Sequence, residues 1–203
     1  MQPTVVNSWN DFDPLKHVIV GRADFTCIPP SEAATEAKVP EDSDMRGMWG
    51  PRPLATVERA NAQLDHLVNL LESRGVRVDR PEPIQWNQAV TTPDFSTGSM
   101  FGCMPPRDVL LTVGKEILSA PMSFRCRYWE FLAYHSLMQR YFDEDPGFLW
   151  EQAPRPRLSD LSYQSGYFDE ITIEERLQRT ASLDFLATED EPLFDAANIL
   201  RIG

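Results

Sequence analysis

From Met104 to Pro121 the chain reads Met-Pro-Pro-Arg-Asp-Val-Leu-Leu-Thr-Val-Gly-Lys-Glu-Ile-Leu-Ser-Ala-Pro, and this stretch limits the folds open to it more than any other. Its β-branched and aliphatic residues predict strands over 109–113 and 117–119. Gly114-Lys115 joins them as a tight hairpin turn, in which glycine takes a positive φ without steric cost. Asp108 then stands at the mouth of the first strand. Two prolines stiffen the approach to it and supply no backbone donors, so its carboxylate enters from a fixed loop onto a rigid strand, as binding groups commonly do. An aspartate that merely caps a turn suits the same place, and the stretch alone leaves both readings open.

The rest of the chain supports a mixed α/β class. Val18-Ile19-Val20-Gly21 predicts a short buried strand over 17–20. Val57, Ala60, Leu64, Leu67, Val68 and Leu71 recur at three- and four-residue steps, which predicts an amphipathic helix over 54–74 that ends at Gly75. Val76-Arg77-Val78-Asp79 alternates as a strand and stops before Pro81. His66 lies beside the helical stripe and reads as a partly exposed helical histidine. Ser123 is placed to cap a second helix reaching Phe142. Its many aromatic residues, among them Phe124, Tyr128, Phe131 and Tyr141, point to the core. Arg125 and Arg127 in its first turn read as partners of surface acids, with a substrate carboxylate as the alternative. Cys27, Cys103 and Cys126 show no CxxC spacing, and the three histidines form no HExxH pair, so neither a disulfide framework, a metal site nor a cofactor is expected.

Two polar excursions interrupt this pattern, over 28–53 and from Ala153 through Arg176, and the first suits either a lid or an interface. After the second, Glu189–Gly203 offers acids, a proline, the loop aspartate Asp195, an apolar strand and a glycine. Val18–Gly21, Leu111–Gly114 and Leu200–Gly203 share a strand-then-glycine ending about 90 residues apart, a weak internal repeat of the kind a modular sheet protein carries. A net charge of -12 disfavours nucleic acid and anionic membrane surfaces and favours a cationic small substrate. No apolar run approaches the roughly 20 residues of a membrane span, and the N-terminus lacks a secretory pattern, so the cytoplasm is the expected location.

Several short segments, in order and over essentially the whole chain, resemble the amidinotransferases, the family that includes glycine and inosamine-phosphate amidinotransferases. They are Asn10–Leu15 with Val18–Gly21, Arg80-Pro81, Thr92-Pro93-Asp94-Phe95, Pro106-Arg107-Asp108, Glu116–Met122, Arg125-Cys126-Arg127, Ala153–Pro156 and Glu191–Asn198. The resemblance implies a pentein fold, an α/β-propeller of five ββαβ modules, with residues 1–203 as the N-terminal portion of a single domain. It implies a cysteine thiolate that attacks the guanidinium carbon of arginine, releases ornithine and passes the amidino group to an acceptor amine, with a histidine moving protons. Asp108 would hold the guanidinium and Asp195 would orient the histidine. The length of the segment between Arg157 and Glu191 resembles the glycine enzymes and favours a small amino-acid acceptor. A homodimer is the expected assembly.

The chain departs from the family pattern in one respect, because the catalytic histidine and cysteine would lie beyond Gly203. None of its three cysteines matches the nucleophile, and Cys103, near Asp108 in sequence, has no activating histidine beside it. The chain alone is therefore expected to be inactive, and its last apolar strand, left without a partner, is expected to promote self-association. A guanidine-binding module without catalysis, a pseudoenzyme subunit and an arginine deiminase-like hydrolase are the other readings.

Overall fold

In the computed structural model, which describes residues 4–32, 34, 47–167 and 172–202, helices and small sheets alternate, and no sheet closes into a barrel. The first strands are β1 (His17–Ile19), β2 (Cys27–Ile28), β3 (Gly50–Pro51) and β4 (Arg77–Asp79), with helix α1 (Leu54–Glu72) before β4. β1 and β4 pair in parallel, His17 opposite Arg77, and α1 makes the crossover that a parallel pair requires. Pro53 fixes the start of α1. Gly75, at φ +79°, turns the chain out of it, and Val76 N–H closes the end on Leu71 O at 3.1 Å. The expected stripe is only half covered. Val57, Ala60, Leu64, Val68 and Leu71 are partly buried, but Leu67 is exposed, because two short strands cannot cover a helix of 19 residues.

β2 and β3 form an antiparallel pair at the ends of the first excursion, whose residues 33 and 35–46 lie outside the described residues. β5 (Val90–Thr91) and β6 (Ser96–Thr97) make a further short hairpin. A four-residue helix, α2 (Pro106–Val109), then leads into β7 (Leu110–Val113) and β8 (Glu116–Ser119). The hairpin has the predicted register, with Val113 opposite Glu116 and Gly114 at φ +60° in the turn. Asp108 and Val109 differ from expectation. They belong to α2, started by Pro106 at its first position, and not to a loop and a strand.

After β8 come helix α3 (His135–Glu144) and β9 (Leu149–Gln152), which runs parallel to β8. Strands β7, β8 and β9 with α3 thus make one ββαβ unit. The sequence reading missed β9, which is short, interrupted by Glu151 and exposed at three of its four residues. It also drew one continuous helix over 123–142, where the chain forms 3-10 turns at Arg125–Arg127 and Glu130–Tyr134 before α3 begins. Ser123 is no cap. Met122 has φ +61° and Phe124 is extended, so a helix cannot start there, and the Ser123 carbonyl accepts from Tyr163 Oη at 2.9 Å. The aromatic residues explain the break. Phe124 packs with Phe95, Cys126, Leu158 and Tyr163, whereas Trp129 and Phe131 pack against the main core around Trp86, Tyr134, Met138 and Phe148. One straight helical stripe cannot serve two clusters.

The second excursion holds a 3-10 turn at Asp160–Ser162 and helix α4 (Ile173–Ala181), started by a Thr172–Glu175 capping box. The expected strand at 199–202 does not form. Ile202 makes a single bridge to Asn10 and is 78 % exposed, so the apolar strand on which self-association was argued is absent. The third glycine of the repeat, Gly203, is outside the described residues.

A side-chain network ties β1 and β4 to α3. Asp79 receives hydrogen bonds from His17 Nε2 at 2.6 Å, Tyr141 Oη at 2.9 Å and Arg140 Nη2 at 2.5 Å. Burial pushes its carboxyl up, but the His17 and Tyr141 hydrogen bonds and the charges of Arg77 and Arg140 outweigh it and hold it at about 2, against an ordinary 3.8. That difference corresponds to about 2 kcal/mol. Because the folded value is depressed, this stabilisation is complete above pH 3.8 and lost as pH falls toward 2. Asp79→Asn is expected to lose it at pH 7 and to flatten the acid limb. Urea denaturation at pH 7 and pH 3 measures both, and equal losses at the two pH values would contradict the assignment.

Candidate functional site

The main-chain path that carries Asp108 is fixed on both sides. Its N–H donates to Pro105 O at 3.1 Å, and the adjoining Val109, fully buried, accepts from Ala120 N–H at 2.8 Å. Asp195 comes from far along the chain, in extended conformation just before a 3-10 turn at Ala196–Asn198. That turn packs on α2 through the buried Ala196, which brings Asp195 to the same end of the hairpin as Asp108.

Arg127 joins the two aspartates. Its Nη1 lies 2.9 Å from Asp108 Oδ2 and 3.5 Å from Asp195 Oδ2. The opposite edge of the guanidinium is occupied by Glu130, with Nε at 2.9 and 3.0 Å from its two oxygens and Nη2 at 2.7 Å. Glu130 has a side-chain exposure of 0 % and Arg127 of 10 %, and the guanidinium also lies 5.4 Å from the Phe101 ring centre. Burial pushes the Glu130 carboxyl up to about 7, while Arg127 draws it back toward the ionised form. For Arg127, burial disfavours the charge, but Glu130, Asp195 and Asp108 together drive it far above its usual range. The earlier reading of Arg127 as a surface arginine is therefore corrected. Arg125 does meet a surface acid, Asp160, at 2.9 Å. Glu130 was not singled out in the sequence, although the three-residue spacing of Arg127 and Glu130 is that of an ion pair on one helical face.

Among the described residues the cluster joins one cation and three carboxylates, two more acids than bases. It is also graded in exposure. Asp108 retains 26 % of its side-chain surface and Asp195 16 %, so the excess negative charge faces outward from a buried Arg127–Glu130 base. Such a site accepts a planar cation with several N–H donors.

The three cysteines are buried free thiols. Burial pushes Cys103 up to about 12 and Cys126 well above the normal thiol value, and raises Cys27. Cys103 Sγ points to Arg22 O at 3.8 Å. Asp94, in the Thr-Pro-Asp-Phe segment, pairs with the exposed Arg157 at 2.5 Å and takes no part in the cluster. Among the described residues no three His, Cys, Asp or Glu side chains are grouped to hold a metal ion, and no helix is long and apolar enough to cross a membrane.

No family model matches the chain. The mitochondrial glycine amidinotransferase of Danio rerio is 40 % identical over 197 residues, covering 96 % of this chain and 46 % of that protein. The L-arginine:L-lysine amidinotransferase of Pseudomonas savastanoi pv. phaseolicola is 37 % identical over 206 residues, covering 100 % of this chain and 54 % of that protein. Among solved structures, the inosamine-phosphate amidinotransferase StrB1 of Streptomyces griseus superposes with a TM-score of 0.81 at 33 % identity, over 99 % of this chain and 54 % of that one. The chain spans about half the length of the curated relatives it matches. Likeness of sequence and likeness of fold agree: over nearly its whole length the chain is similar to amidinotransferases, and it matches about half the length of each.

Proposed function

We propose that residues 1–203 carry the donor-binding part of an enzyme that moves an amidino group from L-arginine to an acceptor amine through an amidino-cysteine. In this reading Asp108 holds the guanidinium by charge-assisted hydrogen bonds. Asp195 orients a histidine and stabilises its charged form. That histidine and the nucleophilic cysteine are assigned to the part of the longer relatives that this chain does not match, within a pentein propeller to which the ββαβ unit contributes one module. A small amino acid of the glycine type is the favoured acceptor.

The observation that supports this most is the convergence of Asp108 and Asp195, 87 positions apart in sequence, on one Arg127 nitrogen, with the cluster's surplus of acids facing solvent. Nothing in the turn-capping reading of either aspartate requires them to meet. Their carboxylates suit a guanidinium in charge and in geometry, since each offers paired acceptors to a planar fork of N–H donors.

Asp108→Asn removes one charged acceptor, a loss of about 1.5 to 3 kcal/mol for a hydrogen bond to a charged group. Arginine affinity is expected to fall about tenfold or more, as read by calorimetric titration of the two proteins at pH 7.5. An unchanged affinity would remove Asp108 from the donor site.

A further inference from the structure

Arg127 and Glu130 have no place in the chemistry proposed above, yet they are the most deeply buried charges in the cluster. Their geometry is one-sided. Glu130 occupies the Nε and Nη2 edge of the guanidinium with three contacts of 2.7 to 3.0 Å, and this leaves Nη1 as a fixed point directed at the aspartates. A planar group held along one edge cannot rotate without breaking that edge. Both Asp108 Oδ2 and Asp195 Oδ2 meet the same fixed nitrogen.

The need for such a cation follows from electrostatics. Two carboxylates in one partly buried site do not both ionise readily, and the second proton is retained to higher pH. The groups facing them are Arg127 and Glu130 from the 3-10 turns and Tyr134, which is buried and whose hydroxyl donates to Cys103 O. Among the described residues, Arg127 is the cation in contact with both aspartates. Arg107, beside Asp108 in sequence, turns away to Asp11 and the Ile199 carbonyl.

We infer that Arg127, seated on Glu130, is a positioning residue that sets the spacing of Asp108 and Asp195 and keeps both ionised, so that Asp108 meets the incoming guanidinium, and Asp195 its histidine, as carboxylates. Glu130 acts one step further back, by fixing the edge of Arg127 that the aspartates do not use. This rests on the donor-site reading above, and it adds a requirement which that reading lacks, a cation beneath the site that is not part of the substrate.

The test replaces both buried partners, Arg127→Gln with Glu130→Gln, so that neither charge is stranded and the two amides can hydrogen-bond to each other. Cooperative thermal melting establishes that the variant is folded. Two readouts are then compared with the wild type between pH 4 and 8. One is the carboxyl carbon NMR titration of Asp108 and Asp195. In the double variant one of the two is expected to retain its proton to a pH about one unit or more higher than in the wild type. The other is L-arginine affinity, expected to fall about tenfold at pH 6 and to recover in part toward pH 8, whereas the wild type changes little over that range. A merely structural Arg127 would lower melting temperature and leave both pH profiles where they are.

Arg127→Lys, which leaves Glu130 a counter-charge, serves if the double variant does not melt cooperatively. Lysine lacks the planar fork, and the same separation of the two titrations is expected in weaker form. Unchanged titrations of both aspartates in a folded variant overturn the inference. Absence of arginine binding in the wild type instead overturns the donor-site reading, and the carboxyl titrations still decide the role of Arg127.

Discussion

Arg127→Ala, with Glu130 left in place, is expected to lower folding stability by about 3 to 5 kcal/mol at pH 7, the range for breaking a buried ion pair by removing one partner. The size comes from what remains. Glu130 has 0 % side-chain exposure, and three of its contacts run to Arg127, so the variant buries a carboxylate with no counter-charge. Its proton affinity then rises further above the ordinary 4.5, because burial still disfavours the charge and the Arg127 attraction is gone. The pH dependence has a definite sign. A carboxyl whose folded pKa lies above its unfolded value gives a fold that gains stability as pH falls, so the deficit at pH 5 should be smaller than at pH 7. Replacing both residues by apolar side chains of similar volume, Arg127→Met with Glu130→Leu, is expected to return most of the loss. Urea melts of the single and double variants at both pH values measure this. A single variant within about 1 kcal/mol of the wild type would show that the pair is not the buried base of the cluster.

Gly21→Ala should act on stability and site together. A Cβ built there would lie 2.0 Å from Met104 O, 2.5 Å from Met104 C and 2.6 Å from Cys103 O. All three are backbone atoms, so no side chain can rotate aside, and the segment just after β1 and the loop before α2 must move apart. Overpacking of well-filled sites costs about 1 to 3 kcal/mol and occasionally more, and a backbone collision belongs at or beyond the upper end. The loop that must move is Cys103–Pro105, which leads directly into Asp108, so arginine affinity should drop in the same variant. Gly114→Ala is the useful contrast. There the close atoms belong to the Trp9 ring, which can swing away, and the cost is the positive φ of the hairpin turn, about 1 to 2 kcal/mol, with no displacement of Asp108. Thermal melts with parallel arginine titrations separate the two, and equal binding by Gly21→Ala and the wild type would refute the coupling.

These glycines also show how far the sequence could be read. The hairpin was legible because its signals are local, since alternating apolar residues and a turn glycine specify register within ten positions. The order of β1, α1 and β4 was legible for the same reason, whereas the parallel pairing of the two strands was not read from the sequence. Grouping Gly21 with Gly114 as one motif was only formally right, because one glycine answers to space and the other to dihedral angle, and spacing alone cannot separate the two. The helix drawn over 123–142 failed because aromatic residues at helical steps were assigned to a single stripe, when their partners lie in two clusters reached through distant segments such as Leu158 and Tyr163. Asp108 and Asp195 were singled out as candidates through family-like segments. Their meeting at Arg127 was not, because it depends on how the turn at Ala196–Asn198 docks against α2, a contact between positions that local periodicity does not connect.

The bridge from Asn10 to Ile202 is reinforced by Arg201, whose guanidinium reaches Asp11 across 190 residues of sequence, Ser8 O at 3.1 Å across 193 and Thr112 O at 2.5 Å across 89. Contacts of that span contribute to folding only after the intervening chain has closed its loops, so they form late in any order that begins with local hairpins and helices. During synthesis, the Ser8–Asp11 segment has no such partner until residue 201 has left the ribosome. Hairpin β7–β8 and the β1–α1–β4 crossover can be in place well before then. The clasp thus forms later than either of them. It ties Ser8 and Asp11 to Arg201, and Asp195, six residues upstream of Arg201, reaches Arg127 only when the same stretch of chain is available.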